Sequence, residues 1–119
     1  MLSNLLGNAI DVMPHGGRLL IRSRETLDWK TGRRGIVLTF ADTGSGMSAE
    51  TKARIFEPFY TTKGISGTGL GLWISSEIMQ RHGGCIAVHS SQREEHHGTV
   101  FSLFLPFDGP VTALTPSAE

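Results

Sequence analysis

The stretch that most constrains this chain is Gly67-Thr68-Gly69-Leu70-Gly71-Leu72. Three glycines at alternate positions bury nothing and cost backbone entropy, so they do not serve a core. They let the main chain pass close to something bulky, and the helical pattern that follows aims its free N–H groups at it. A glycine-rich approach to a helix N-terminus is a ready anion site, for phosphate above all. Two phosphate loops are excluded. No Lys-Ser/Thr pair follows the glycines, as a Walker A loop requires, and residues 58–66 read as loop rather than as the strand that leads into a dinucleotide site. Taken alone, the triplet reads equally as a phosphate cradle or as a tight loop-to-helix junction.

The chain opens inside a helical pattern. Leu2, Leu5, Leu6, Ala9, Ile10 and Met13 recur at helical spacing and form one apolar stripe. Asn4, Asn8 and Asp11, three and four apart, share a polar face. Asparagine is a poor helix former whose amide wants a partner. The pair reads either as a solvated face or as oxygen ligands for a hard cation and donors to a phosphate. No N-cap residue precedes the stripe, so the helix is expected to begin upstream of Met1. Pro14-His15-Gly16-Gly17 ends it.

Residues 18–24 and 35–41 then read as strands of a hairpin around a polar loop at 27–35. At its end stands Asp42-Thr43-Gly44-Ser45-Gly46-Met47, either a plain turn or a carboxylate held in a cleft to accept from a ligand amine. Ser48 is a good N-cap for a short helix over 49–55, with Glu50 in its first turn. Aromatics and a proline at 56–60 lead into a polar stretch, up to Gly67, with the character of a lid. Leu70, Trp73, Ile74 and Ile78 mark the buried face of the next helix, which ends near His82-Gly83-Gly84. Strands follow at 85–90 and 99–105, joined by a charged tip at 92–98, and a polar tail closes the chain.

Composition excludes more than it assigns. A chain of 119 residues makes one domain. With 11 basic and 11 acidic residues it carries no net charge, which argues against nucleic acid or an anionic membrane as partner. One cysteine permits no internal disulfide and suits a reducing cytoplasm. No apolar stretch approaches a membrane span.

Four motifs occur in order: NLLGNAIDVMPHGG (residues 4–17), DTGSGM (42–47), FEPFYTTK (56–63) and GTGLGL (67–72). They resemble the N box, first G box, F box and second G box of the catalytic ATP-binding domain of bacterial sensor histidine kinases, the GHKL or Bergerat-type HATPase_c domain. RHGG and GTVFSLFLP further along are similar to that family too, and the MPHGG and TTK segments resemble its nitrogen-regulation branch. The resemblance implies an α+β fold, an α/β sandwich with a mixed, mostly antiparallel sheet covered by helices on one face. It also implies one domain over residues 1–107 whose start is missing, with a tail over 108–119.

By the same resemblance, ATP would lie between the first helix and the lid, with Asn8 holding Mg²⁺ and Asn4 supporting the cluster. Asp42 would accept from the adenine amino group while Gly44 and Gly46 let the chain pass beneath the base. Gly67, Gly69 and Gly71 would cradle the phosphates with Leu70 among them, Thr68 adding a hydroxyl and Lys63 a positive charge. The reaction would be transfer of the γ-phosphoryl group to a histidine on a separate phosphoacceptor (dimerisation) domain, which serves a response regulator in a two-component phosphorelay.

The resemblance also implies a cytoplasmic domain with no direct membrane contact. The strand that precedes the first helix in the family, and that helix's first turns, are missing. Either the first residues then fray and the site is weak, or two chains cover each other's bare apolar surface; self-association through the truncated start is the favoured outcome. Asp11 departs from the family, which often carries a basic residue there. None of His15, His82, His89, His96 and His97 lies in a phosphoacceptor sequence; the pair at 96 and 97 is expected to be solvated, and Cys85 to be a small core residue. Two alternatives stand: a non-catalytic nucleotide-binding or scaffold fragment, and a retropepsin-like aspartic protease built on Asp42-Thr43-Gly44, which the two amphipathic helices contradict.

Overall fold

A computed structural model describes residues 2–28, 32–60 and 71–108. The alternation after the first helix is a hairpin of β1 (Leu19–Asp28) and β2 (Arg33–Asp42), paired from Leu19 opposite Asp42 to Asp28 opposite Arg33. Both strands run further toward their turn than composition suggests. Thr26, Leu27 and Asp28 sit opposite Gly35, Arg34 and Arg33, so cross-strand pairing extends the ladder through polar sequence. A second hairpin joins β3 (Cys85–Gln92) to β4 (His97–Pro106), and its tip likewise shortens to residues 93–96.

β4 pairs with β2 to give the order β1-β2-β4-β3. Every pairing among the described residues is antiparallel, so the parallel component of a mixed sheet has no counterpart there.

Side chains alternate across a sheet, and the apolar ones share a face. Phe40, Phe101 and Leu103 are buried there, with Leu38, Ile86, Val88 and Leu105 packed alongside. Leu5 from α1 (Leu2–Asp11), Met79 from α3 (Gly71–Arg81) and Ile55, the C-cap of α2 (Ala49–Arg54), close over that face. The fold is α+β with its helices on one side, as expected. Ser48 caps α2 by accepting from the Thr51 N–H at 3.1 Å.

Three expectations shift. Among the described side chains of α1 the buried ones are Leu5 and Ala9, while Ile10 stands 64% exposed, so the stripe there is narrower than its hydropathy. In α3 the buried residues are Ser75 and Met79 rather than the face marked by Trp73 and Ile74. The reason is close approach: a Cβ on Gly71 would lie 3.3 Å from Asn4 Cγ, so α3 turns its small residues toward α1. Cys85, opposite Phe104 on an edge strand, is exposed and belongs to the outward register, not to the core.

Candidate functional site

Asp42 is the last residue of β2 and faces inward opposite Thr99. It is only 9% exposed, and a carboxylate so placed is costly unless hydrogen-bonded. Its Oδ1 accepts from the Gly44 N–H at 2.9 Å and from the Thr99 N–H at 3.2 Å. The first bond is the local turn that Asp-x-Gly suggests. The second comes from the neighbouring strand, 57 residues away, and fixes the carboxylate to the sheet. Among the described residues both bonds fall on one oxygen.

The two glycines that follow are shaped by protein contacts. A Cβ on Gly44 would run into Val12, whose Cβ and carbonyl oxygen lie 2.9 Å from that point. The loop after β2 is thus pressed against the chain leaving α1. Gly46 has φ +76°, and a Cβ there would meet the Ser91 main chain, so no other residue suits the position.

On α1, Asn4 and Asn8 are half-buried. The Asn4 Nδ2 donates to the carbonyl of Gly71 at 3.4 Å, and Ser75 Oγ donates to the same oxygen at 2.9 Å. Asn4 therefore ties α1 to the first residue of α3. The structure brings Asn4 to Gly71, and Asp42 to Gly44 beside the end of α1. Lys63, Gly67, Thr68, Gly69 and Leu70 lie outside the described residues, as does the lid after Tyr60.

Around Asp42 the sequence reading missed Thr99, Ser90 and His97. Thr99 is 5% exposed, and its hydroxyl lies 2.8 Å from Ser90 Oγ. Ser90 Oγ also accepts from the Met47 N–H at 2.8 Å and donates to the Gly98 carbonyl at 3.1 Å. One assignment satisfies all three bonds: Thr99 donates to Ser90, whose second lone pair serves Met47. His97 is exposed, as expected, but it is the first residue of β4 rather than part of the tip, and it reaches the carbonyl of Gly44 from Nδ1 at 2.6 Å. The available signal was strand alternation, which puts Ser90 in phase with Val88, and Thr99 in phase with Phe101.

A shallow, open surface depression of about 330 Å³ lies beside this network, lined by Asp42, His89, Ser91, His96, His97 and Thr99 among others. The aromatic segment after α2 is divided in its roles. Phe56 and Tyr60 pack on the core, whereas Phe59 is 74% exposed with φ +69°. Arg54 pairs with Glu57 at 3.3 Å and stacks 4.5 Å over the Tyr60 ring. The hydrogen bonds that Arg54 donates to the Glu57 carboxylate raise its guanidinium pKa above the ordinary value, so it stays charged.

The family model described as histidine kinase-, DNA gyrase B-, and HSP90-like ATPase matches residues 1–109. The chain belongs to this ATPase family. Sporulation kinase E of Bacillus subtilis is 44% identical to this ATPase domain over 103 residues, covering 87% of the chain and 13% of the relative. Sensor histidine kinase ZraS of Salmonella typhi is 36% identical over 89% of the chain and 21% of the relative. The ATPase domain thus spans a small part of the length of these relatives.

Among solved structures, the mycobacterial sensor histidine kinase MprB superposes with a TM-score of 0.71 at 30% identity, covering 87% of this chain and 67% of that one. Full-length ShkA in complex with AMPPNP gives 0.69 at 32% identity, over 92% and 22%. In sequence and fold the ATPase domain is similar to the matching part of these histidine kinases. The protease alternative falls with this match, because α1 and α3 supply core residues that a nearly all-strand fold does not have.

Proposed function

We propose that the domain binds MgATP and positions it for phosphoryl transfer to a histidine on a separate phosphoacceptor domain of the same kinase. A response regulator is then served indirectly, on the cytoplasmic side of the membrane. The observation that carries this reading is the buried Asp42 carboxylate, held through Oδ1 by two main-chain donors.

The donor set suits the nucleotide and its metal. A fixed carboxylate is a strong acceptor for an adenine amine, and Oδ2 is the oxygen for that task. Asn8 offers an amide oxygen, a hard donor appropriate to Mg²⁺. Asn4 seats α3 on α1 through Gly71, and the N-terminus of α3 favours negative charge. In this reading Gly67, Thr68, Gly69, Leu70 and Gly71 hold the phosphates and Lys63 adds positive charge. Gly44 and Gly46 shape the loop that carries Asp42. Bound MgATP supplies the transferable phosphoryl group. The chain's own work is orientation and charge neutralisation, and the nucleophile comes from the other domain.

Asp42→Asn tests the reading cleanly. The asparagine Oδ1 can keep both main-chain bonds, while its NH₂ opposes the adenine amine donor to donor. Loss of a hydrogen bond to a charged group costs about 1.5–3 kcal/mol, so ADP affinity falls about ten- to a hundredfold. Titration calorimetry showing equal ADP binding by the variant and the wild type would reject the assignment. Phosphoryl transfer to an added phosphoacceptor domain separates catalysis from mere nucleotide binding.

A further inference from the structure

We propose that His97 is a positioning residue for adenine recognition, acting through the carbonyl of Gly44. This rests on reading Asp42 as the acceptor for the adenine amine. Gly44 is buried and has no side chain to anchor it, since a Cβ there would strike Val12. Its peptide groups are therefore fixed by main-chain bonds. Its N–H donates to Asp42 Oδ1 at 2.9 Å, and its carbonyl accepts from His97 Nδ1 at 2.6 Å. A carbonyl only accepts, so the ring nitrogen facing it carries the hydrogen.

His97 thus holds one end of the residue whose other end holds the carboxylate. A second tie, from Met47 N–H to Ser90 Oγ, fastens the same loop to the β3–β4 hairpin three residues on. The pairing of His97 with Gln92 sets where the imidazole stands, so the hairpin register defines the position of the loop that aims Asp42. His97 is exposed, so solvent reaches the place of a shortened side chain and the fold should tolerate the change.

The chemistry makes a sharp distinction between substitutions. The Asn amide nitrogen stands at the same distance along the side chain as imidazole Nδ1, whereas that of Gln lies one bond further out. His97→Asn should therefore keep the clamp, and His97→Gln and His97→Ala should lose it. The measurement is titration calorimetry of the 119-residue chain with ADP and with inosine diphosphate, which lacks the adenine amine, alongside thermal melts of each variant.

Wild type should prefer ADP. His97→Ala and His97→Gln should lose about two- to tenfold of that preference, the scale of one neutral hydrogen bond, with inosine diphosphate binding unchanged and His97→Asn close to wild type. Should His97→Ala not fold, the Asn and Gln variants carry the comparison. An undiminished preference in His97→Gln, or equal loss in His97→Asn and His97→Gln, overturns the proposal alone. Equal binding of the two nucleotides by wild type overturns the reading of Asp42 and the proposal with it.

Discussion

Asn8 and Asp42 make different demands on the nucleotide, and single substitutions tell them apart. A metal ligand matters only while the metal is present. Asn8→Ala should weaken MgATP binding by about tenfold or more, the scale of one strong polar contact, and leave metal-free ADP binding nearly unchanged. Titrations in which both fall equally would make Asn8 a structural residue of α1. At this scale, legibility followed sequence distance. Asp42 could be read because a carboxylate at a strand end and the glycines after it are neighbours in the chain. Thr99 and Ser90 could not be joined to it, since alternation shows that a side chain points inward but not what it faces. His97 was misplaced for a related reason: the length of the β3–β4 ladder decides whether it belongs to a tip or to a strand, and pairing sets that length.

Among the elements, the short helix and the core helix depend on different forces. Ser48→Ala removes the cap of α2 and should cost about 1 kcal/mol. Met79→Ala empties a fully buried position on α3 and should cost about 2–5 kcal/mol. Thermal unfolding should show a clearly larger fall in Tm for the second; equal falls would mean that α3 is not seated on the core through Met79.

The existence and order of α1, α2, α3 and the two hairpins were legible, because periodicity, caps and glycines are local signals. The facing of α3 was not. Trp73 and Ile74 are the larger apolar residues, yet the helix presents Gly71 and Ser75 to α1, where bulk would hold the two apart. Hydropathy measures the pull toward the core, whereas the rotation of a helix is set by which residues let backbones approach.

For the whole molecule, a domain that only positions a nucleotide should not label itself. Given radiolabelled ATP, the isolated chain should acquire no acid-labile phosphate, and label on any of its five histidines would contradict the division of labour proposed above. The sheet has another consequence, in time rather than in space. Each hairpin pairs strands that are neighbours in the chain, β1 with β2 and β3 with β4, and such ribbons form in about 1–10 μs. The seam between β2 and β4 joins distant parts of the chain, with Asp42 opposite Thr99 across 57 residues, and loop-closure entropy makes that step slower. The carboxylate and its strand-borne donor meet only on that seam. In stopped-flow refolding, the capacity to bind a fluorescent ADP analogue should return with the slowest phase, after most strand signal has recovered; binding that returned earlier would mean the seam closes first and the hairpins grow outward from it.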